Sequence, residues 1–289
     1  MSKLFHLSIL ILLVLGCSSL PKQQISQATQ KAVQLMEQGG KEEARNMPAD
    51  ALTAYLQSLH YATLNGDLEN QLTAMQGCVR VYHVMGDSAK VRILLSDMQK
   101  QILDTSPNYL IYYLQVLNWM YMQAGEYQKV YDFAVDDVRY RPDLSIMLLC
   151  DKIQAAAKLS IQDKATLKRL QSLLSKYIRT TKNKQGYRTD IVAQADYSIA
   201  FYLAANDNWK AAVKSLDKAI KIDKVSDVYI NLADDYLLKG KCLLKLNRPD
   251  LAQSNLWLAK TIYAELNLPD QSEQADTLLK GIQITGNHE

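Results

Sequence analysis

The sequence predicts an all-α fold, a solenoid of stacked helical hairpins, and three observations predict it. The chain is poor in turn-formers, with 11 Gly and 6 Pro among 289 residues, which excludes a loop-rich β-sandwich, a collagen-like repeat and a disordered polymer. Leu, Ala, Lys and Gln, all good helix formers, are abundant. One apolar pattern of helical period recurs about every 40 residues along most of the chain. Hydrophobic residues make up 48%, enough for a sizeable core, and a net charge of +3 leaves no electrostatic footprint for nucleic acid.

The first element is an address. Met1-Ser2-Lys3 gives a positive start, and residues 4–15 form an apolar run broken by His6 and Ser8. A run that short does not span a bilayer core, which takes about 20 residues, so it reads as a secretory signal. The stretch Val14-Leu15-Gly16-Cys17-Ser18-Ser19 follows. It resembles the lipobox of bacterial lipoproteins. That resemblance implies a signal peptide over residues 1–16, cleavage after Gly16, and lipidation of Cys17 by diacylglycerol and an N-acyl chain such as palmitate. Residues 17–26 then form a lipidated tether. By the same resemblance Ser18 permits sorting to the cell outer membrane, with the mature chain facing the periplasm.

Residues 27–289 read as one repeat domain. The clearest unit is Trp209-x-x-Ala212-Val213-x-x-Leu216-x-x-Ala219-Ile220, whose apolar positions share one helix face. Asn206-Asp207-Asn208 before it is turn chemistry, and residues 191–205 read as the partner helix. Small residues let two helices approach, and larger ones fill the groove between them. The arrangement recurs from Pro48, Ser88, Tyr127 and Pro249, and more weakly from Lys164, with Ala134 in the third copy and Pro142 ending that unit. The anchors Ala51, Val91, Val130, Leu167, Ala212 and Ala252 lie 37 to 45 residues apart.

This pattern resembles the tetratricopeptide repeat (TPR) in its longer-helix forms. The resemblance implies a right-handed solenoid of about six helix-turn-helix units, extended as a rod. Asp270-x-x-Glu273 reads as a capping box opening a last, capping helix to about Thr285. Residues 179–188 are a basic insertion between helices, read as a solvated connector rather than a contact for an acidic partner or lipid headgroup. Gly39-Gly40 and Pro48 are expected to interrupt the first unit.

Catalytic constellations are absent from the sequence. There is no phosphate-cradling glycine loop and no Gly-x-Ser-x-Gly elbow, and His6, His60, His83 and His288 make no pair at zinc spacing. The adjacent acids Asp136-Asp137 and Asp234-Asp235 are expected to be solvated or capping residues. Beyond Cys17, Cys78, Cys150 and Cys242 each fall in the first helix of a different unit, which favours buried thiols over disulfides and leaves an intermolecular link as the alternative. No enzyme, cofactor or metal is expected.

Tyrosine is more informative, with 17 against 3 Phe. Amphipathic rings suit surfaces that are half packed and half wet. In TPR proteins the first helix of each hairpin lines the concave face. That resemblance maps a candidate groove of Gln76, Arg80, His83, Tyr112, Gln115, Trp119, Met122, Gln194, Tyr197, Phe201 and Lys241. Tyr112, Trp119, Tyr197 and Phe201 would anchor a protein segment, and Gln115 and Gln194 would bond its backbone. The same rings packed between neighbouring helices are an equal alternative. The expected function is a lipid-anchored, non-catalytic scaffold or adaptor that binds a protein or peptide partner in the bacterial envelope. The alternative is a ligand-sensing regulator whose solenoid changes curvature.

Overall fold

In a computed structural model, residues 26–133, 142–183, 187–226 and 228–286 are described. The signal segment, Cys17, most of the tether, Ala134, Asp136, Asp137, Lys184, Gly186 and His288 lie outside the described residues. The described residues form thirteen α-helices and one 3₁₀ turn, Pro107–Tyr109, with no strand. In chain order the helices are α1 (Gln27–Ala44), α2 (Pro48–Leu64), α3 (Leu68–Val84), α4 (Ser88–Thr105), α5 (Leu110–Gln123), α6 (Tyr127–Asp132) and α7 (Pro142–Lys158). They continue as α8 (Lys164–Thr181), α9 (Thr189–Ala205), α10 (Trp209–Ser226), α11 (Tyr229–Lys245), α12 (Pro249–Glu265) and α13 (Pro269–Gly286).

Successive pairs make six hairpins, and α13 packs on α12 as a closing helix. The chain is an all-α helical-repeat solenoid. The tight turns share one geometry. Each holds a single residue in the left-handed region: Asn46, Gly66, Gly86, Gly125, Ser160, Asp207, Asn247 and Asn267. The amide of the very next residue then reaches back across the helix end, as Asp87 N does to Tyr82 O at 2.9 Å and Asn208 N to Leu203 O at 2.8 Å. That pattern satisfies carbonyls the helix end leaves open, and seven of the eight positions are Gly, Asn or Asp, which tolerate positive φ; Ser160 is the exception. Asp67, Asp87 and Asp163 then cap the following helices through their carboxylates.

The anchors behave as small or medium core residues: Ala51, Val91, Val130, Ala212 and Ala252 are all buried, while Leu167 is half-buried. Cys78, Cys150 and Cys242 are free and buried. Burial pushes the Cys78 thiol up to about 12 and that of Cys242 to about 11.

Four expectations are corrected. Gly39 and Gly40 do not break the first unit: α1 runs through both, and Gly39 is there for close packing. A Cβ at Gly39 would sit 2.6 Å from the Tyr55 ring, and one at Gly77 of α3 would sit 2.7 Å from it, so two glycines clamp one tyrosine. Asp270 is not a helix cap, because α13 already begins at Pro269; it is an acid of the first turn, where it suits the helix dipole. Pro142 belongs to α7 rather than to the hairpin before it. Finally, the stack is not a straight rod. Nδ2 of Asn46, in the first turn, lies 3.5 Å from the carbonyl oxygen of Asn267, in the last. The solenoid curls until its two ends touch.

Candidate functional site: the inner face

The first helices α1, α3, α5, α7, α9 and α11 each pack on the next. Helices that touch their counterparts in neighbouring hairpins sit on the inside of a curved stack, where spacing is closest, so this layer is the concave one. The candidate groove residues all belong to it.

At the N-terminal end, Tyr55 donates its hydroxyl to Glu43 Oε2 at 2.6 Å. Arg80 grips both oxygens of Glu43, through Nε and Nη2, each at 2.8 Å. Burial works against a charged Glu43, but the Arg80 guanidinium and the bonds to it win, so the carboxyl titrates below its ordinary value. Arg80 is therefore committed to holding α1, α2 and α3 together, not free to meet a partner.

Further along, Gln76 donates to the carbonyl of Tyr112 and to Gln115 Oε1, while Gln115 Nε2 lies 3.4 Å from the Met147 sulfur. Gln76 and Tyr112 are only 8% and 5% exposed. These two are structural: they knit α3 to α5 and do not line an open groove. His83 and the half-buried Trp119 pack edge to face, with ring centres 5.3 Å apart. Met122 is half-buried and Gln194 is exposed.

The C-terminal end differs, because its side chains are presented. Tyr197 and Phe201, half-buried on α9, lie with ring centres 6.2 Å apart. The exposed Lys158 holds its ammonium 5.3 Å above Phe201 and 5.8 Å from Tyr127. Lys241 reaches Gln274 Oε1 at 3.3 Å and is close enough to Lys158 to feel its charge. Burial, and then that like charge, hold Lys241 below the usual lysine range. The result is one ammonium group over two aromatic faces with a second, that of Lys241, near enough to feel its charge, a surface suited to carboxylates flanked by apolar side chains.

Lys158, Tyr127, Glu43 and Tyr55 were missed as site residues from sequence. Gly39-Gly40 was the available signal for the Tyr55 clamp. For Lys158, the last residue of α7, helical phase alone gives no signal.

Asp234 and Asp235 correct the expectation of solvated acids. The Tyr263 hydroxyl donates to Asp234 Oδ1, and Asp235 is 1% exposed. An open cleft of about 630 Å³ between α12 and α13, lined by Trp257, Leu258, Lys260 and Leu279, holds none of these acids and none of the groove residues. Among the described residues no group of His, Cys, Asp and Glu could hold a metal ion, and no helix is long and apolar enough to cross a membrane.

No family model matches the chain, and no curated protein matches it. Among solved structures, the chain is similar to the TPR2AB-domain complex with pHSP90 of yeast Sti1. The identity is 15% over 87% of this chain and 98% of that one, with a TM-score of 0.33.

Proposed function

We propose that this chain is a lipid-anchored, non-catalytic adaptor of the bacterial cell envelope that binds a protein segment along its concave face. The observation that carries this reading is the patch of Tyr197, Phe201, Lys158 and Lys241. Half-buried rings there leave apolar surface open beside two positive charges. A segment bearing an acid next to an apolar residue fits that surface, and the curl of the solenoid brings α7, α9 and α11 together to form it. The sequence of residues 14–19 supports the anchor, which would hold the adaptor at a membrane and raise its effective concentration there.

Crosslinking from native membranes, followed by mass spectrometry, tests the reading. Phe201→Ala with Lys241→Ala is expected to lose the partners that the wild-type chain captures, at unchanged helix content. Cys17→Ser is expected to release the chain from the membrane and abolish labelling by a palmitate analogue. Unchanged capture by the double variant overturns the groove, and unchanged membrane attachment of Cys17→Ser overturns the anchor.

A second reading, a sensor that changes curvature on binding a peptide or small molecule, draws on the Asn46–Asn267 contact. One hydrogen bond between the solenoid ends is easily broken. A ligand-dependent change in small-angle scattering supports this reading over a rigid adaptor.

A further inference from the structure

We propose that the joint between the fifth and sixth hairpins, where Asp196, Asp223 and Asp235 are buried, is a proton-operated hinge, closed while the carboxyls of Asp223 and Asp235 are protonated and loosened when they ionise. These acids come from three helices that meet at the joint, α9, α10 and α11. They are 4%, 2% and 1% exposed. Neither oxygen of Asp235 has a hydrogen-bond partner, and neither does Oδ1 of Asp223. A buried carboxylate without partners is costly, and two or three together repel one another.

The charged groups around them do not balance this. From α9, the exposed Asp190 adds negative charge felt by Asp223, although Arg188 engages it at 2.6 Å. From α10, Lys218 reaches Asp196 at 3.6 Å and is itself largely exposed. Lys239, on α11, acts weakly on Asp235, because its ammonium is drawn 2.6 Å from Asp217 on α10. Asp234 adds a further negative charge beside Asp235, and its bond from Tyr263 joins α11 to α12.

Burial comes first and neighbouring acids second in raising these groups, Asp235 to about 9 and Asp223 to about 7; burial also raises Asp196 against the pull of Lys218. In the unfolded chain the same carboxyls titrate near 3.9, so between that value and about 9 the folded joint holds more protons. Its contribution to stability is full below about pH 4 and falls as pH rises through about 7 and then about 9. The hinge stands whether or not the groove binds a partner. Where it does, opening the joint separates Tyr197 and Phe201 on α9 from Lys241 on α11, and binding weakens with it.

Hydrogen exchange of the full chain at about pH 5.5 and about pH 8.5, corrected for intrinsic exchange, tests the hinge. Amides of α11 to α13 are expected to lose at least about tenfold more protection than those of α3 at the higher pH. Asp235→Asn is expected to flatten that difference. Equal changes at both ends of the wild-type chain overturn the hinge without any variant. So does an Asp235→Asn chain that folds and keeps the full difference. Should that variant not fold, Asp223→Asn is read in its place by the same criterion.

Discussion

At the scale of single residues, Tyr55 organises the first two hairpins. Its ring lies between Gly39 and Gly77, and its hydroxyl closes a bonded set with Glu43 and Arg80. The ring is rigid and glycine backs it on both faces, so it has nowhere to move when a methyl group is added. Gly77→Ala is therefore expected to cost about 1–3 kcal/mol in chemical denaturation, as overpacking usually does. Combining it with Tyr55→Leu should recover part of that loss. If Gly77→Ala is neutral on its own, the clamp is looser than the geometry states. The ionic part of the set has its own signature. Glu43 titrates below its unfolded value in the folded chain, so its stabilisation is present above the ordinary carboxylate range and fades as pH falls through the folded value. Glu43→Gln is expected to flatten the acid limb of the stability profile, the opposite limb from that governed by Asp235. Much of this cluster was illegible in the sequence. A glycine doublet in a helix reads as a break, because its partner ring is supplied by the next helix and a residue pattern along one helix does not contain that neighbour.

At the scale of elements the sequence was far more legible. Hairpin count, helix phase and the placement of Cys78, Cys150 and Cys242 on first helices all follow from short-range patterns, which the chain's own backbone enforces locally. Turns were legible for the same reason: Gly86-Asp87 supplies both the left-handed residue and the next helix cap. Gly86 sits at φ 77° with open space around its Cα, so only the backbone resists a side chain there. Gly86→Ala is expected to cost about 1–2 kcal/mol, the left-handed penalty of an L-residue, whereas Gly86→Asn should cost visibly less. Thermal unfolding of the two variants checks the order, and an alanine variant as stable as the asparagine one contradicts it. What failed at this scale was burial of charge. Asp234-Asp235 looks solvated because two adjacent helical residues point different ways, yet α11 lies between α9, α10 and α12 and has little free face to offer. An amphipathic pattern cannot reveal that a helix is surrounded when a polar residue occupies one of its inner faces.

At the scale of the molecule, curvature decides what meets what, and curvature is a sum of small rotations between hairpins that no single repeat encodes. It carries Lys158 of the fourth hairpin within reach of Lys241 of the sixth, so units that would stay apart in a straight stack share one patch. It also carries the turn at Asn46 to the turn at Asn267. That contact makes a direct prediction. In the double variant Asn46→Cys, Asn267→Cys, a short thiol-to-thiol crosslinker is expected to join the two turns in high yield within one chain. Cys78, Cys150 and Cys242 should not compete, since all three are buried and their thiols are held above their ordinary values. Mass spectrometry of the digested product reads the linkage. An open rod would give only intermolecular products that vanish on dilution, and that result would remove the closed curl and with it the convergence of α7, α9 and α11. If the crosslinked chain still captures its partner, the segment reaches the patch without the ends parting. If capture is lost until the linker is cleaved, the Asn46–Asn267 contact is the gate through which the partner enters.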